Sequence, residues 1–138
     1  MATVFSFSTS KNIPTPQLEA LYNDAGWSSY TRNLVSLQKS IQNSQDVITA
    51  WDKEQLLGLI RTIGDTETIL YIQDILVLSA YKRQGIGRRL IEEVLALNQN
   101  CRQIVLLTED SDETRGFYEA LGFESCDKGS AVAFAMQK

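Results

Sequence analysis

The chain has 138 residues, 43% hydrophobic and 22% charged, with 13 Lys and Arg against 17 Asp and Glu for a net charge of -4. That is the composition of one globular domain, neither disordered nor membrane-spanning, and the acidic balance argues against non-specific nucleic-acid binding. There is no histidine, which excludes Ser-His-Asp and Cys-His nucleophile systems, histidine zinc ligands and histidine bases.

Residues 3–8 (TVFSFS) alternate and predict a short strand. Thr15-Pro16 reads as an N-cap followed by proline at the first helical position; Leu18, Leu21 and Tyr22 form that helix's apolar face and Gly26 ends it. Residues 27–30 (WSSY) read as an aromatic loop, and residues 31–42 as a second helix with Leu34, Leu37 and Ile41 on one side. Strands at 46–51 and 55–63 follow, joined by a turn at Asp52-Lys53. Residues 68–78 (TILYIQDILVL) are nearly all apolar and predict a central strand covered on both faces.

Ile86, Leu90, Val94 and Leu97 give residues 86–98 a helical apolar stripe, and 103–108 (QIVLLT) reads as another buried strand. Asp110-x-x-Glu113 resembles a capping box opening a helix that runs to Leu121, with Gly122 as C-cap. One or two further strands are expected in 123–136 (FESC and AVAFAM). The order predicts a layered α/β domain over residues 1–138. Cys101 and Cys126 make no disulfide framework, and the N-terminus has neither a basic region nor a long apolar run. A cytoplasmic protein without a secretion signal is therefore expected.

The sharpest signal lies between the apolar strand and the 86–98 helix: Lys82-Arg83-Gln84-Gly85-Ile86-Gly87-Arg88-Arg89. Glycines let backbone N–H groups approach an anion, the helix N-terminus adds its dipole, and four basic residues suit phosphate. A strand-to-helix turn with a solvated basic rim is the plainer reading, and the two stand about even. The pattern is neither a Walker loop nor GxGxxG, since Leu90 stands at the third glycine position.

This segment, with Phe117-Tyr118-Glu119-Ala120-Leu121-Gly122-Phe123 downstream, resembles the GNAT superfamily of acyl-CoA-dependent N-acetyltransferases. The family's fingerprints are Arg/Gln-x-x-Gly-x-Gly/Ala after a central strand and Phe-Tyr-x-x-x-Gly-Phe. Lys82 replaces the usual Arg or Gln, Ser111 stands where many members carry Asn, and Tyr71 where many carry a catalytic Glu. The resemblance implies a single GNAT-like domain with a mixed, mostly antiparallel sheet and helices on both faces. It further implies acetyl-CoA as co-substrate, an amine acceptor, no metal, no nucleic-acid or membrane partner, and room for a homodimer. Backbone amides from Lys82 and Arg83 through Gln84, Gly85, Ile86, Gly87 and Arg88 would hold the coenzyme pyrophosphate. The backbone of Ile75, Leu76 and Val77 would pair with the pantetheine arm, and Tyr118 would protonate the departing thiolate.

Tyr118 also has a packing reading, as an aromatic at helical spacing. Asp74 is placed on a face with Leu70, Ile72, Leu76 and Leu78. Apolar burial disfavours the ionised carboxylate, which suits a base for an ammonium substrate; a buried Asp bonded to a backbone N–H or to Arg61 is the alternative. Trp27 and Tyr30, in a polar loop, are candidates for the acceptor pocket, and Trp51 is read as core. Glu109, Asp110, Asp112 and Glu113 read mainly as helix N-terminal charge. The rival functions are a non-catalytic acyl-CoA sensor and a mononucleotide-binding regulator.

Overall fold

A computed structural model describes residues 4–138. Thr3, the predicted start of the first strand, lies outside the described residues. The chain divides into two compact units, one running to Leu106 and one from Leu107 to Lys138.

The first unit is built on a five-stranded sheet in the order β1 (Ser6–Ser8), β2 (Asp46–Asp52), β3 (Gln55–Gly64), β4 (Ile69–Val77), β5 (Gln103–Leu106). Every neighbouring pair is antiparallel except β4–β5, which is parallel. Helices α1 (Thr15–Asp24) and α3 (Leu34–Asn43) cover one face with a core of Leu18, Leu21, Tyr22, Leu37 and Ile41 against Val47, Leu59 and Leu76. The other face carries α4 (Ile86–Leu97), whose Ile86, Leu90, Ile91 and Val94 are buried. Gly58 explains how closely α4 lies: a Cβ there would sit 3.3 Å from the Ile86 side chain and 3.4 Å from Leu90. Leu97, expected on the buried stripe, is exposed, because the helix ends there and Asn98 takes over the contact with the sheet.

Several boundaries move. Residues 28–31 form a short helix, α2 (Ser28–Thr31), instead of a loop. Asn33 then caps α3, its Oδ1 accepting from the Ser36 N–H at 3.0 Å, so this helix begins at Leu34 rather than residue 31. The α1 cap position is Pro14, not Thr15, and makes no side-chain cap bond. The β2–β3 turn residues are Lys53 and Glu54, with Asp52 already paired to Gln55. β5 is shorter than predicted and half-buried, as befits a strand whose one partner among the described residues is β4.

The decisive irregularity is in β4. Arg61 pairs with Asp74 but Thr62 pairs with Ile72, so Gln73 is the extra residue of a β-bulge. Asp74 therefore does not share a face with Leu70 and Ile72, as unbroken alternation predicts. It points with Leu76 toward α1 and α3, whereas Ile72 follows Thr62 toward α4.

The second unit holds one helix, α5 (Asp112–Ala120). Ser111 caps it, its hydroxyl accepting from the Thr114 N–H at 3.1 Å. Asp110, predicted as the cap, instead takes Arg115 Nε at 2.6 Å. Gly122 follows the helix at φ +94°, the left-handed position expected of a C-terminal glycine. The strands expected in 123–136 are absent among the described residues: Cys126–Lys128 is a 3-10 turn, and Val132, Phe134 and Met136 are exposed. Alternation in AVAFAM supplies strand propensity, but a strand also needs a partner.

Candidate active site

β4 runs beyond its parallel neighbour. The last β4–β5 pair is Ile72 with Leu106, so Asp74–Val77 are paired with β3 alone among the described strands, and the bulged Gln73 with neither. Ile75, Leu76 and Val77 thus lie on a stretch of sheet edge with no strand beside it.

That edge leads directly into the glycine segment. Leu78 donates its N–H to Leu57 O at 2.8 Å, and a 3-10 turn (Ser79–Tyr81) follows. Lys82, Arg83, Gln84 and Gly85 are exposed. Gly85, the α4 N-cap, lies at φ +83°, and no side chain caps the helix. The first-turn N–H groups of α4, from Ile86, Gly87 and Arg88, therefore have no capping side chain and lie beside Lys82 and Arg83. Arg83 itself sits at φ +64°, a left-handed conformation that a non-glycine residue adopts at a cost of order 1 kcal/mol or more. Arg88 and Arg89 pair along the helix with Glu92 and Glu93, which leaves Lys82 and Arg83 as the segment's cations without an ion-pair partner among the described residues.

A second cluster surrounds Asp74, which is 2% exposed. Arg61 Nε donates to Oδ2 at 2.5 Å, Tyr22 Oη to Oδ2 at 2.9 Å, and Tyr30 Oη to Oδ1 at 2.8 Å. Gln73 Nε2 donates to Tyr30 Oη at 3.2 Å. Trp27 stacks on Tyr30 with centroids 6.0 Å apart, and Tyr22 meets both rings. Burial, then the Asp74 carboxylate, pushes the Tyr22 phenol far up. Burial also raises Tyr30, partly offset by Gln73. Burial alone would weaken the Arg61 charge, but Asp74 outweighs it and the guanidinium is raised. Asp74 has therefore taken the Arg61 partner of its second reading, and both its oxygens are engaged. The arrangement suits a rigid anchor for Tyr30, because both carboxylate oxygens already accept from a guanidinium and two phenols.

Tyr118 lies in the second unit, in the last turn of α5. Its ring packs edge-on against Phe117 and Phe123, and burial raises its pKa. Its hydroxyl makes no hydrogen bond among the described residues, so the proton is free to be donated. Trp51 is half-buried, with Nε1 donating to Thr49 Oγ1 at 2.7 Å. It lines a cavity of about 520 Å³ with Ser8, Asn12 and Gln17 that contains none of the predicted site residues.

Residues 13–134 match the family described as "Acetyltransferase (GNAT) domain". The chain belongs to the GNAT acetyltransferase family. It is 31% identical to GCN5-related N-acetyltransferase 2, chloroplastic, of Arabidopsis thaliana, covering 89% of this chain and 55% of that protein. It is 28% identical to the Histone acetyltransferase TAP1 of Glycine max, covering 89% of this chain and 57% of that protein. The chain thus spans about half the length of these curated relatives. A GNAT-family acetyltransferase from Streptococcus pneumoniae TIGR4 superposes with a TM-score of 0.87 at 27% identity, covering 98% of both chains.

As a GNAT chain, it shows the α/β architecture that the motifs implied, with a mixed sheet and helices on both faces of its first unit. Sequence reasoning missed the part played by Gln73 and the bond from Tyr22 to Asp74. Tyr22 was legible only as core, since nothing local distinguishes a buried phenol with a partner from one without. Gln73-Asp74, two adjacent polar residues in an apolar run, was the available signal for the bulge: strict alternation puts one of the two on each covered face.

Proposed function

We propose that this chain transfers an acetyl group from acetyl-CoA to a primary amine by direct attack, with residues 1–138 acting as one catalytic domain. The observation that carries the reading is the β4 edge free of β5 from Gln73 to Val77, running into an uncapped helix N-terminus flanked by two cations. An extended amide-bearing arm suits the edge, and a pyrophosphate suits the helix end. Acetyl-CoA has both in that order. The family match across both units supports the single-domain reading.

On this reading, backbone N–H groups of Ile86, Gly87 and Arg88 bind the pyrophosphate, with Lys82 and Arg83 adding charge. The backbone of Ile75, Leu76 and Val77 holds the pantetheine arm, and an amide near Leu76 or Val77 polarises the thioester carbonyl. The coenzyme supplies an activated acetyl group whose leaving group is a thiolate. Neutral amine attacks the carbonyl carbon, a C–N bond forms, the C–S bond breaks, and the new ammonium loses its proton to water. The proton donor proposed for the thiolate is Tyr118, argued from its own surroundings: a raised, unbonded phenol keeps its proton at neutral pH. Trp27 and Tyr30 form an aromatic wall for the acceptor, with Asp74 and Arg61 holding Tyr30 in place. The two free cysteines fit a reducing compartment, and the cytoplasm is the proposed location.

The test mixes protein, acetyl-CoA and a panel of polyamines, arylalkylamines, aminoglycosides and peptide N-termini, and follows free thiol. Release that depends on the amine supports the transferase. Coenzyme binding without thiol release with any amine points to a sensor. ATP or GTP binding that acetyl-CoA fails to displace overturns the coenzyme assignment.

A further inference from the structure

Three consecutive residues close α1, and each makes a bond outside the helix. Tyr22 donates to Asp74 on β4 at 2.9 Å. Asn23 Oδ1 accepts from Thr31 Oγ1 at 2.6 Å, tying α2. Asp24 Oδ2 accepts from Ser79 twice, from the backbone N–H at 2.8 Å and from the hydroxyl at 3.1 Å.

Asp24 is out of place for the helix it ends. A carboxylate in the last turn faces the negative end of the helix dipole and is locally unfavourable. Residues that break a local rule are those to suspect of serving something else. The service here is to Ser79, first residue of the 3-10 turn ahead of the glycine segment. Between the two tethers, at Asp74 and Ser79, lie Ile75, Leu76, Val77 and Leu78. The first three belong to the part of β4 without a β5 partner. A strand held on one side only is free to fray and twist. Two tethers from one helical turn fix both its ends.

We propose that Asp24 is a positioning residue for the coenzyme. Through Ser79 it sets the path from the free β4 edge to the α4 N-terminus, so that the pantetheine and pyrophosphate sites keep a fixed separation. This rests on the acetyl-CoA reading above. Because Asn23 and Tyr22 hold α2 and the Tyr30 anchor from the same turn, the acceptor wall and the coenzyme path share one support.

The experiment uses Asp24→Ala, Asp24→Asn, Ser79→Ala and the Asp24→Ala/Ser79→Ala pair. CoA affinity by calorimetry, kcat and KM, and melting temperature are read for each. Asp24→Ala is expected to weaken CoA binding and raise the KM for acetyl-CoA about 10-fold, with kcat nearly kept. Asp24→Asn, which keeps an acceptor oxygen, recovers most of the loss. Ser79→Ala, which keeps its N–H, loses less, and the pair is no worse than Asp24→Ala alone. A structural role would lower the melting temperature and leave KM alone, and that result overturns the proposal. So does unchanged CoA affinity in folded Asp24→Ala, or strict additivity in the pair. A wild-type protein that binds no CoA overturns the coenzyme reading itself and this inference with it, whereas wild-type binding beside an indifferent Asp24→Ala overturns the inference alone.

Discussion

Asp74 is a charged residue buried beside a cation, and its worth is measured by what its removal leaves behind. Asp74→Asn strands Arg61, whose side chain is 7% exposed, without a counter-charge. Breaking a buried pair from one side costs about 3 kcal/mol or more, roughly 10 °C of melting temperature in a domain this size. The expected result is that loss, with residual activity keeping the wild-type pH profile. A stable variant with a changed profile would return Asp74 to the role of base. Tyr118 tests the opposite case, a group with no hydrogen-bond partner to strand among the described residues. Tyr118→Phe keeps the ring against Phe117 and Phe123 and should lower kcat about 10-fold with little change in KM. Because burial raises the phenol, its proton is retained through neutral and mildly alkaline pH. The Tyr118-dependent rate therefore persists below about pH 10, the ordinary tyrosine value, and falls only above it. In a pH-rate profile, the phenylalanine variant should lack that alkaline limb. The sequence offered Arg61 as one partner for Asp74 but neither Tyr22 nor Tyr30, because contacts from α1 and α2 depend on a packing and a register that spacing along one strand does not contain.

Among the elements, the strand-turn-helix at β4 and α4 was the most legible, since apolar run, glycines and amphipathic stripe all agree there. Its glycine is also the easiest to test. At Gly85 an added Cβ meets nothing within 4 Å, yet φ is +83°. Gly85→Val therefore acts through backbone strain, of order 1–3 kcal/mol, and not through a clash with protein. We expect a folded variant whose α4 N-terminus is displaced and whose CoA affinity, by calorimetry, falls at least 10-fold; equal affinity would refute the anion site. The short helix α2 was less legible because four residues carry too little periodicity to register. The AVAFAM segment failed the other way. Its alternation is clear, but alternation reports propensity and says nothing of an available partner.

At the scale of the molecule, Tyr22 links α1 to the sheet through a phenol raised by burial and by Asp74. A folded-state pKa above the unfolded one means the contribution is complete below about pH 10 and is lost as pH rises further, since only the unfolded chain ionises readily. Melting temperature should thus hold up to about pH 10 and drop beyond it. Tyr22→Phe, less stable at neutral pH for want of its bond to Asp74, should show a shallower alkaline decline. Parallel slopes for the two proteins would mean that another tyrosine sets the limit.

The bulge at Gln73 makes β4 two half-strands in opposite phase. Ile72 and Leu76 are four positions apart, a spacing that ordinary pleating would put on one face, yet they are sorted to opposite sides of the sheet. A methylene removed from one is therefore not felt by the other. Ile72→Val and Leu76→Val should each cost about 1 kcal/mol, and the double variant should equal their sum within about 0.5 kcal/mol. Urea titrations of the three proteins give the comparison, and a coupling larger than that would mean one continuous phase. Deleting Gln73 alone is the converse experiment. It would close the bulge while leaving Ile72 opposite Thr62 and Asp74 opposite Arg61, so the carboxylate should stay with Arg61, Tyr22 and Tyr30; the extra residue, whose side chain is exposed, changes the spacing along the chain and not the layer that receives the charge.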